Sequence, residues 1–141
     1  MVTEIIKIPL IKDIDIKDHG IIKHAKIKFS PNLNIITGKS GSGKTAVIKF
    51  LLDRYSEADM SRGDLDELRI DNEIGKSALL IDGLLGCFDY DRLGRVLKKL
   101  EGCGRQVIVT MHENGLENAT KKIKANIIKT ENFELKNQDN N

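Results

Sequence analysis

The chain has 141 residues, of which 40% are hydrophobic and 31% are charged, values typical of one globular domain. Lys and Arg total 23 against 21 Asp and Glu, so the net charge of +2 indicates no strongly basic face for nucleic acid. Aromatic residues make up 4% and Trp is absent, which argues against a platform for stacking bases.

The N-terminus breaks its apolar residues with charges, as a signal peptide or a membrane span would not. Cys87 and Cys103 lie too far apart for a C-x-x-C pair, and we expect both thiols to be reduced. These features predict a cytoplasmic protein without a membrane association.

Alternating apolar residues predict short antiparallel strands over the first 30 residues. Isoleucines recur between residues 5 and 16, and residues 21–29 alternate more clearly. Turns are predicted at residues 18–20 and 30–32. A small antiparallel sheet is therefore expected to precede the apolar run at residues 33–37.

Residues 38–45 read Gly-Lys-Ser-Gly-Ser-Gly-Lys-Thr, a complete G-x-x-x-x-G-K-[ST] phosphate loop. The run before it reads as a buried strand, and residues 46–52 carry helical spacing. The glycines let backbone N–H groups turn inward, and the helix dipole favours an anion. Lys44 would reach the β- and γ-phosphates, and the Thr45 hydroxyl would bind Mg²⁺. The predicted nucleotide-binding residues here are Gly38, Lys39, Ser40, Gly41, Ser42, Gly43, Lys44, Thr45 and Ala46.

The rest of the chain alternates helix and strand patterns, which predicts an α/β fold with a mainly parallel sheet. Residues 56–75 are polar and ambiguous, with a short helix possible from residue 64. Strands are predicted at residues 78–82 and 106–111, helices at 90–100 and 116–123, a hairpin at 125–136 and a disordered tail at 137–141.

Asp82 and His112 each close a predicted strand at its carboxyl end, where parallel sheets bind ligands. The Asp82 carboxylate fits the role of a magnesium ligand, either directly or through water. The alternative is that Asp82 is only the first residue of a loop. His112 could donate a hydrogen bond to the γ-phosphate.

The order of these motifs resembles the head of SMC/RecN-type ABC ATPases. The likeness covers most of residues 5–136 and is most specific over residues 10–51, where an F-S-P-x-L-N approach precedes the phosphate loop. Residues 79–89 are similar to a Walker B strand and D-loop, 107–113 to the H-loop strand, and 121–136 to a final strand pair. The resemblance implies a single P-loop NTPase domain at residues 1–136 with a three-layer fold.

A candidate signature segment, Met60-Ser61-Arg62-Gly63-Asp64, is similar to L-S-G-G-[EQ]. In the family this loop contacts the nucleotide of a second subunit. The resemblance therefore implies that Ser61 and Gly63 bind nucleotide across an ATP-dependent homodimer. A chance S-x-G loop is the alternative.

The chain departs from the family in its architecture and in its catalytic residues. Only residues 46–60 separate Thr45 from Ser61, which leaves no room for a helical subdomain or coiled-coil arms. Gly83 stands where the family has its catalytic Glu, and glycine offers no base. Asp89 and Glu113, with His112, are the remaining candidates for catalysis, and we expect slow or absent hydrolysis.

Two functions remain open, and a third possibility is a degenerate or partial head that acts with a separate partner chain. The first is a minimal ABC-type ATPase or ATP-switched module that binds ATP and Mg²⁺ and has a possible protein partner. DNA is a partner by family analogy only. The second is a small P-loop phosphotransferase with a lid carrying Arg54, Arg62 and Arg69.

Overall fold

The computed structural model of this chain is a mixed α/β structure built on two sheets. It describes residues 2–39, 41–55, 59–64, 77–83, 90–112, 120–121 and 123–136. The strands in this described part are β1 (Val2–Ile8), β2 (Asp13–His19), β3 (Ile22–Lys28), β4 (Leu33–Gly38), β5 (Asp59–Asp64), β6 (Ala78–Ile81), β7 (Val107–His112), β8 (Asn126–Lys129) and β9 (Glu134–Leu135). The same residues form helices α1 (Lys44–Arg54) and α2 (Tyr90–Glu101), and a 3₁₀ turn spans Thr130–Asn132.

The larger sheet contains six strands in the described residues, in the order β5-β1-β6-β7-β4-β8. Neighbours among β6, β7, β4 and β8 pair in parallel, whereas β1 is antiparallel to both β5 and β6. The sheet is therefore mainly parallel. The carboxyl ends of β4, β6 and β7 meet at one edge, with β7 between the other two.

Successive residues of these strands point to opposite faces, and each face has its own hydrophobic core. Ala78 and Leu80 of β6 pack on the face that carries α1, whereas Leu79 and Ile81 pack on the face that carries α2. Both helices turn buried apolar residues toward the sheet. These are Ala46, Val47, Ile48 and Leu51 in α1, and Leu93, Val96, Leu97 and Leu100 in α2.

The smaller sheet, in the order β2-β3-β9, lies on the same face as α1. Its inner side chains, such as Ile14 and Ile16, alternate with exposed charged residues, as expected for a sheet with one face in water. Together with α1, this sheet forms one outer layer, and α2 forms the other. The predicted three-layer α/β fold is confirmed.

Two buried amides fix the end of the molecule opposite the phosphate loop. Asn34 accepts a hydrogen bond from the Ser30 amide at 2.7 Å and donates one to the Val107 carbonyl at 3.1 Å. Gln106 accepts one from the Ile11 amide at 2.9 Å and donates one to the Ser30 carbonyl at 2.9 Å. These bonds tie the turn before β4 to the start of β7.

Two local predictions are wrong. Residues 125–136 do not form a hairpin, because β8 joins the larger sheet beside β4 and β9 joins the smaller sheet beside β3. The first strand is not part of the small antiparallel sheet either, because β1 lies between β5 and β6 of the larger sheet. Both errors concern the choice of a strand's partner, which local patterns do not specify.

The helix expected near residue 64 and the C-terminal tail lie outside the described residues, as does most of the weak helix at 116–123.

Candidate functional site

The phosphate loop connects β4 to α1, as its motif predicts. Gly43 caps α1 with a φ of 115°, a left-handed conformation that favours glycine. No side chain caps this helix end, and its first turn contains no acidic residue. Helix α1 therefore supplies no carboxylate of its own to the positive end of its dipole, and its first amides are suited to an anion.

Lys44 folds back over the loop. Its Nζ donates to the Gly38 carbonyl and, at 3.0 Å, to the Lys39 carbonyl. These bonds hold an ammonium group against the loop backbone. A cation beside the amides of a helix start makes a binding site for phosphate.

The carboxylate of Asp82 is also held in place. Thr110 of β7 donates its hydroxyl to Asp82 Oδ1 and accepts a hydrogen bond from the Gly83 amide at 2.8 Å. The register of β6 and β7 pairs Ile81 with Val109, which places Thr110 beside Asp82. This threonine was not predicted. The only sequence signal for it is its position on the strand that ends at His112.

These groups line one cleft of about 890 Å³. The cleft is lined by the phosphate loop, the end of β6 and the end of β7, which are distant from one another in sequence. Its lining includes Gly41, Gly43, Lys44, Thr45, Ala46, Lys49, Asp82, Gly83, Thr110, Met111 and His112. Thr45, Asp82 and His112 therefore line the same cleft as the phosphate loop.

The turn between β2 and β3 contributes a further wall that sequence reasoning missed. His19, which sequence alone suggests is a surface residue, lines the cleft together with Gly20 and Ile21. Its Nε2 lies 3.0 Å from a carboxylate oxygen of Asp53, and its ring meets Phe50 edge to face at 5.5 Å. The smaller sheet is therefore part of the site, and not only a support for α1.

Thr45 and Asp82 offer the hydroxyl and carboxylate oxygens that suit Mg²⁺, and both line the same cleft. Within the described ranges no group of three or more His, Cys, Asp or Glu side chains is placed to hold a metal ion. This donor set fits an ion that is bound by a few protein oxygens and completed by phosphate and water.

The backbone at the position next to Asp82 favours glycine. Gly83 has a φ of 76°, in the left-handed region, although nothing lies within 4 Å of the place where a Cβ would stand. A side chain here has space but would add about 1–2 kcal/mol of backbone strain. The absence of a glutamate at this position therefore matches the local backbone.

The other predicted residues are only partly described. Ser61 and Gly63 lie in β5, an edge strand of the larger sheet that pairs with β1. Arg62, proposed for a lid, lies in the same strand. Ser40, Arg69, Asp89 and Glu113 lie outside the described residues.

Comparison with known protein families finds a match over the segment that contains the phosphate loop. Residues 13–53 match the model of a family described as an AAA domain, which spans β2 through α1 and contains the whole phosphate loop. This match identifies an AAA or P-loop ATPase-type segment, for which nucleotide binding is implied. No curated protein and no solved structure matches the chain.

Among the helices in the described part of the chain, none has the length and apolar character needed to cross a bilayer.

Proposed function

We propose that this chain is a minimal ABC-type, SMC/RecN-like module that binds Mg-ATP in the cleft and hydrolyses it slowly or not at all. The observation that carries the proposal is the convergence of a helix start without a side-chain cap, Lys44, Asp82 and His112 on one cavity. None of these features alone identifies a nucleotide site. Together they provide the parts that recognise a triphosphate.

Each residue has a distinct part in binding. The loop amides and Lys44 would hold the β- and γ-phosphates, because both present positive charge at one end of the cleft. Thr45 and Asp82 would hold Mg²⁺, which when bound neutralises charge on the phosphates. His112 would hydrogen-bond to the γ-phosphate, so the site would distinguish ATP from ADP.

The proposed slow hydrolysis follows from Gly83 and its backbone. A general base must reach the attacking water, and this position has no side chain. His112 lines the cleft and is one candidate for the base. Asp89 and Glu113 are candidates from the sequence alone. A triphosphate that persists would favour a role as an ATP-dependent switch.

An ATP-dependent homodimer is part of the same proposal. Ser61 and Gly63 lie in β5, at the edge of the larger sheet. The proposed contact with a second subunit's nucleotide would therefore be made by residues of an edge strand. Size-exclusion chromatography of the wild type and of Ser61→Arg, each with and without Mg-ATP, tests the dimer. A nucleotide-independent monomer in both proteins would contradict it.

The central test is Lys44→Ala, measured by calorimetry with Mg-ATP. Removal of a charged donor should weaken binding roughly 10- to 100-fold, because hydrogen bonds to charged groups contribute about 1.5–3 kcal/mol. Lys26→Ala is the matched control, since Lys26 is an exposed lysine of β3 that does not line the cleft. Equal affinity for Lys44→Ala and wild type would overturn the proposed function. Phosphoryl transfer to an acceptor, without ATP-dependent association, would support the phosphotransferase instead.

A further inference from the structure

The C-terminal 3₁₀ turn places a buried hydroxyl behind the phosphate loop. Thr130, the first residue of the turn, is only 3% exposed. Its Oγ1 donates to Ser42 Oγ at 2.7 Å, and Ser42 Oγ donates in turn to the Lys39 carbonyl at 2.5 Å. That carbonyl also accepts the Lys44 ammonium at 3.0 Å. A continuous chain of hydrogen bonds therefore runs from the C-terminal segment to the cation of the site.

The loop also packs directly against this threonine. A Cβ on Gly38 would lie 1.9 Å from Thr130 Oγ1 and 2.7 Å from Ser42 Oγ, and would therefore clash with both side chains. The parallel pairing of β8 with β4 explains the contact, because it places Lys129 beside Thr37 and so brings the next residue to Gly38. The 3₁₀ turn Thr130–Asn132 thus packs directly behind the first glycine of the loop.

We propose that Thr130 is a positioning residue of the nucleotide site, an inference that rests on the proposed function of the cleft. Its hydroxyl fixes the Ser42 side chain, and Ser42 fixes the Lys39 carbonyl that holds Lys44. Residues 85 or more positions away from the loop thereby set its shape before nucleotide arrives. Such preorganisation raises affinity because less conformational freedom is lost on binding.

The effect should fall on the loop more than on the stability of the fold. A second cavity of about 710 Å³ lies beside this contact and is lined by Thr37, Lys39, Ser42 and Thr130. Water in that cavity can replace the lost donor to Ser42, which limits the cost in stability. Water does not hold Ser42 in one rotamer, so the loop loses order.

The test compares Thr130→Val, which keeps the shape of the side chain and removes the hydroxyl, with Thr130→Ser, which keeps the hydroxyl. Binding of Mg-ATP to the full chain is measured by calorimetry, and the thermal midpoint is recorded for each variant. We expect Thr130→Val to weaken binding roughly 3- to 10-fold, the range of one neutral hydrogen bond, and Thr130→Ser to bind like the wild type.

A double-mutant cycle with Ser42→Ala shows whether Thr130 acts through Ser42. In the Ser42→Ala background, Thr130→Val should weaken binding no further. Equal binding by Thr130→Val and wild type, or independent effects that multiply, would overturn the inference. If Thr130→Val does not fold, the same cycle is completed with Thr130→Ala, and the same two outcomes decide.

Amide hydrogen exchange of residues 41–44 in the nucleotide-free protein separates this inference from the proposed function. If the wild type binds no Mg-ATP, the proposed function fails. Faster exchange of these amides in Thr130→Val, with Thr130→Ser as control, would still show that Thr130 orders the loop. Unchanged exchange would refute its role in either case.

Discussion

A single threonine hydroxyl links the two residues that follow β6 to the neighbouring strand β7. Thr110 donates to Asp82 and accepts from the Gly83 amide, so both hydrogen-bonding functions of the hydroxyl are used. One oxygen of Asp82 is occupied in this way, which orients the other. The carboxylate therefore has a defined direction before any cation binds.

The substitution Thr110→Val tests how much these two hydrogen bonds contribute to stability and to Mg²⁺-dependent binding. Valine leaves the Gly83 amide without an acceptor and Asp82 without a donor. The free energy of unfolding should fall by about 0.5–1.5 kcal/mol, the usual net contribution of a hydrogen bond, because Asp82 and Gly83 are exposed and water can take the place of the hydroxyl. Binding of ATP should also depend less on Mg²⁺, because the carboxylate is no longer oriented.

Urea denaturation and ATP titrations at several Mg²⁺ concentrations measure both effects. Thr110→Ser serves as the control, since it retains the hydroxyl. A Thr110→Val protein with unchanged stability and unchanged Mg²⁺ dependence would show that Asp82 needs no such support.

At the scale of elements, the two helices cover opposite faces of the larger sheet and should differ in what they affect. Helix α1 begins at the phosphate loop, whereas α2 packs on the other face and contributes none of its described residues to the cleft. Stability and nucleotide affinity should therefore separate on the α2 side.

Leu97→Ala tests this separation. Leu97 is fully buried in the α2 core, so its truncation should cost about 2–5 kcal/mol of unfolding free energy. The affinity of the folded variant for Mg-ATP should stay within twofold of the wild type, or roughly 0.4 kcal/mol. Arg95→Ala, on the exposed side of the same helix, should change stability by no more than about 0.5 kcal/mol. A large loss of affinity in folded Leu97→Ala would show that α2 communicates with the cleft.

At the scale of the whole molecule, the segment from residue 123 to 136 crosses from one sheet to the other, and carboxylates hold it at both ends. Glu101 accepts a hydrogen bond from the Lys124 amide before β8, and Asp18 pairs with Lys136 at 2.7 Å after β9. The Lys124 amide, together with the Lys98 ammonium, lowers the pKa of Glu101. The hydrogen bond and charge of Lys136 lower the pKa of Asp18.

A lowered pKa in the folded state means that folding favours the ionised carboxylate. The stabilisation is therefore complete above the ordinary values of 4.5 for Glu101 and 3.8 for Asp18, and is lost as the pH falls through the lower folded pKa values. We expect the acid loss of stability to be shallower in the double variant Asp18→Asn, Glu101→Gln than in the wild type. Thermal melts between pH 7 and about pH 3 measure the slope. Glu131→Gln, an exposed site in the same segment, is the control, and parallel curves for the double variant and wild type would contradict the expectation.

The parts of the site that could be predicted are those encoded by contiguous residues. The phosphate loop has a local pattern of glycines, a lysine and a threonine, so the sequence also indicates the strand before it and the helix after it. Asp82 and His112 could be predicted because each closes an apolar run. Thr110, His19 and Thr130 could not, because their neighbours in the site come from other strands and the motif does not mention them.

The same distinction holds for the fold. Periodicity predicted α1, α2, β6 and β7 correctly, but the apolar runs around β8 and β9 suggested a hairpin that does not form. Short strands with similar patterns are compatible with several partners, and the pairing depends on which open edge each one meets.

The phosphate loop, the alternation of strands and helices, and the missing side chain at Gly83 all follow from the order of residues along the chain. Three features depend instead on how the chain packs: β7 lies between β4 and β6, the β2–β3 turn lines the cleft, and Thr130 lies against Gly38. Local chemistry depends on neighbours along the chain, whereas these contacts depend on strand register across it, which is set when the two hydrophobic cores are buried together.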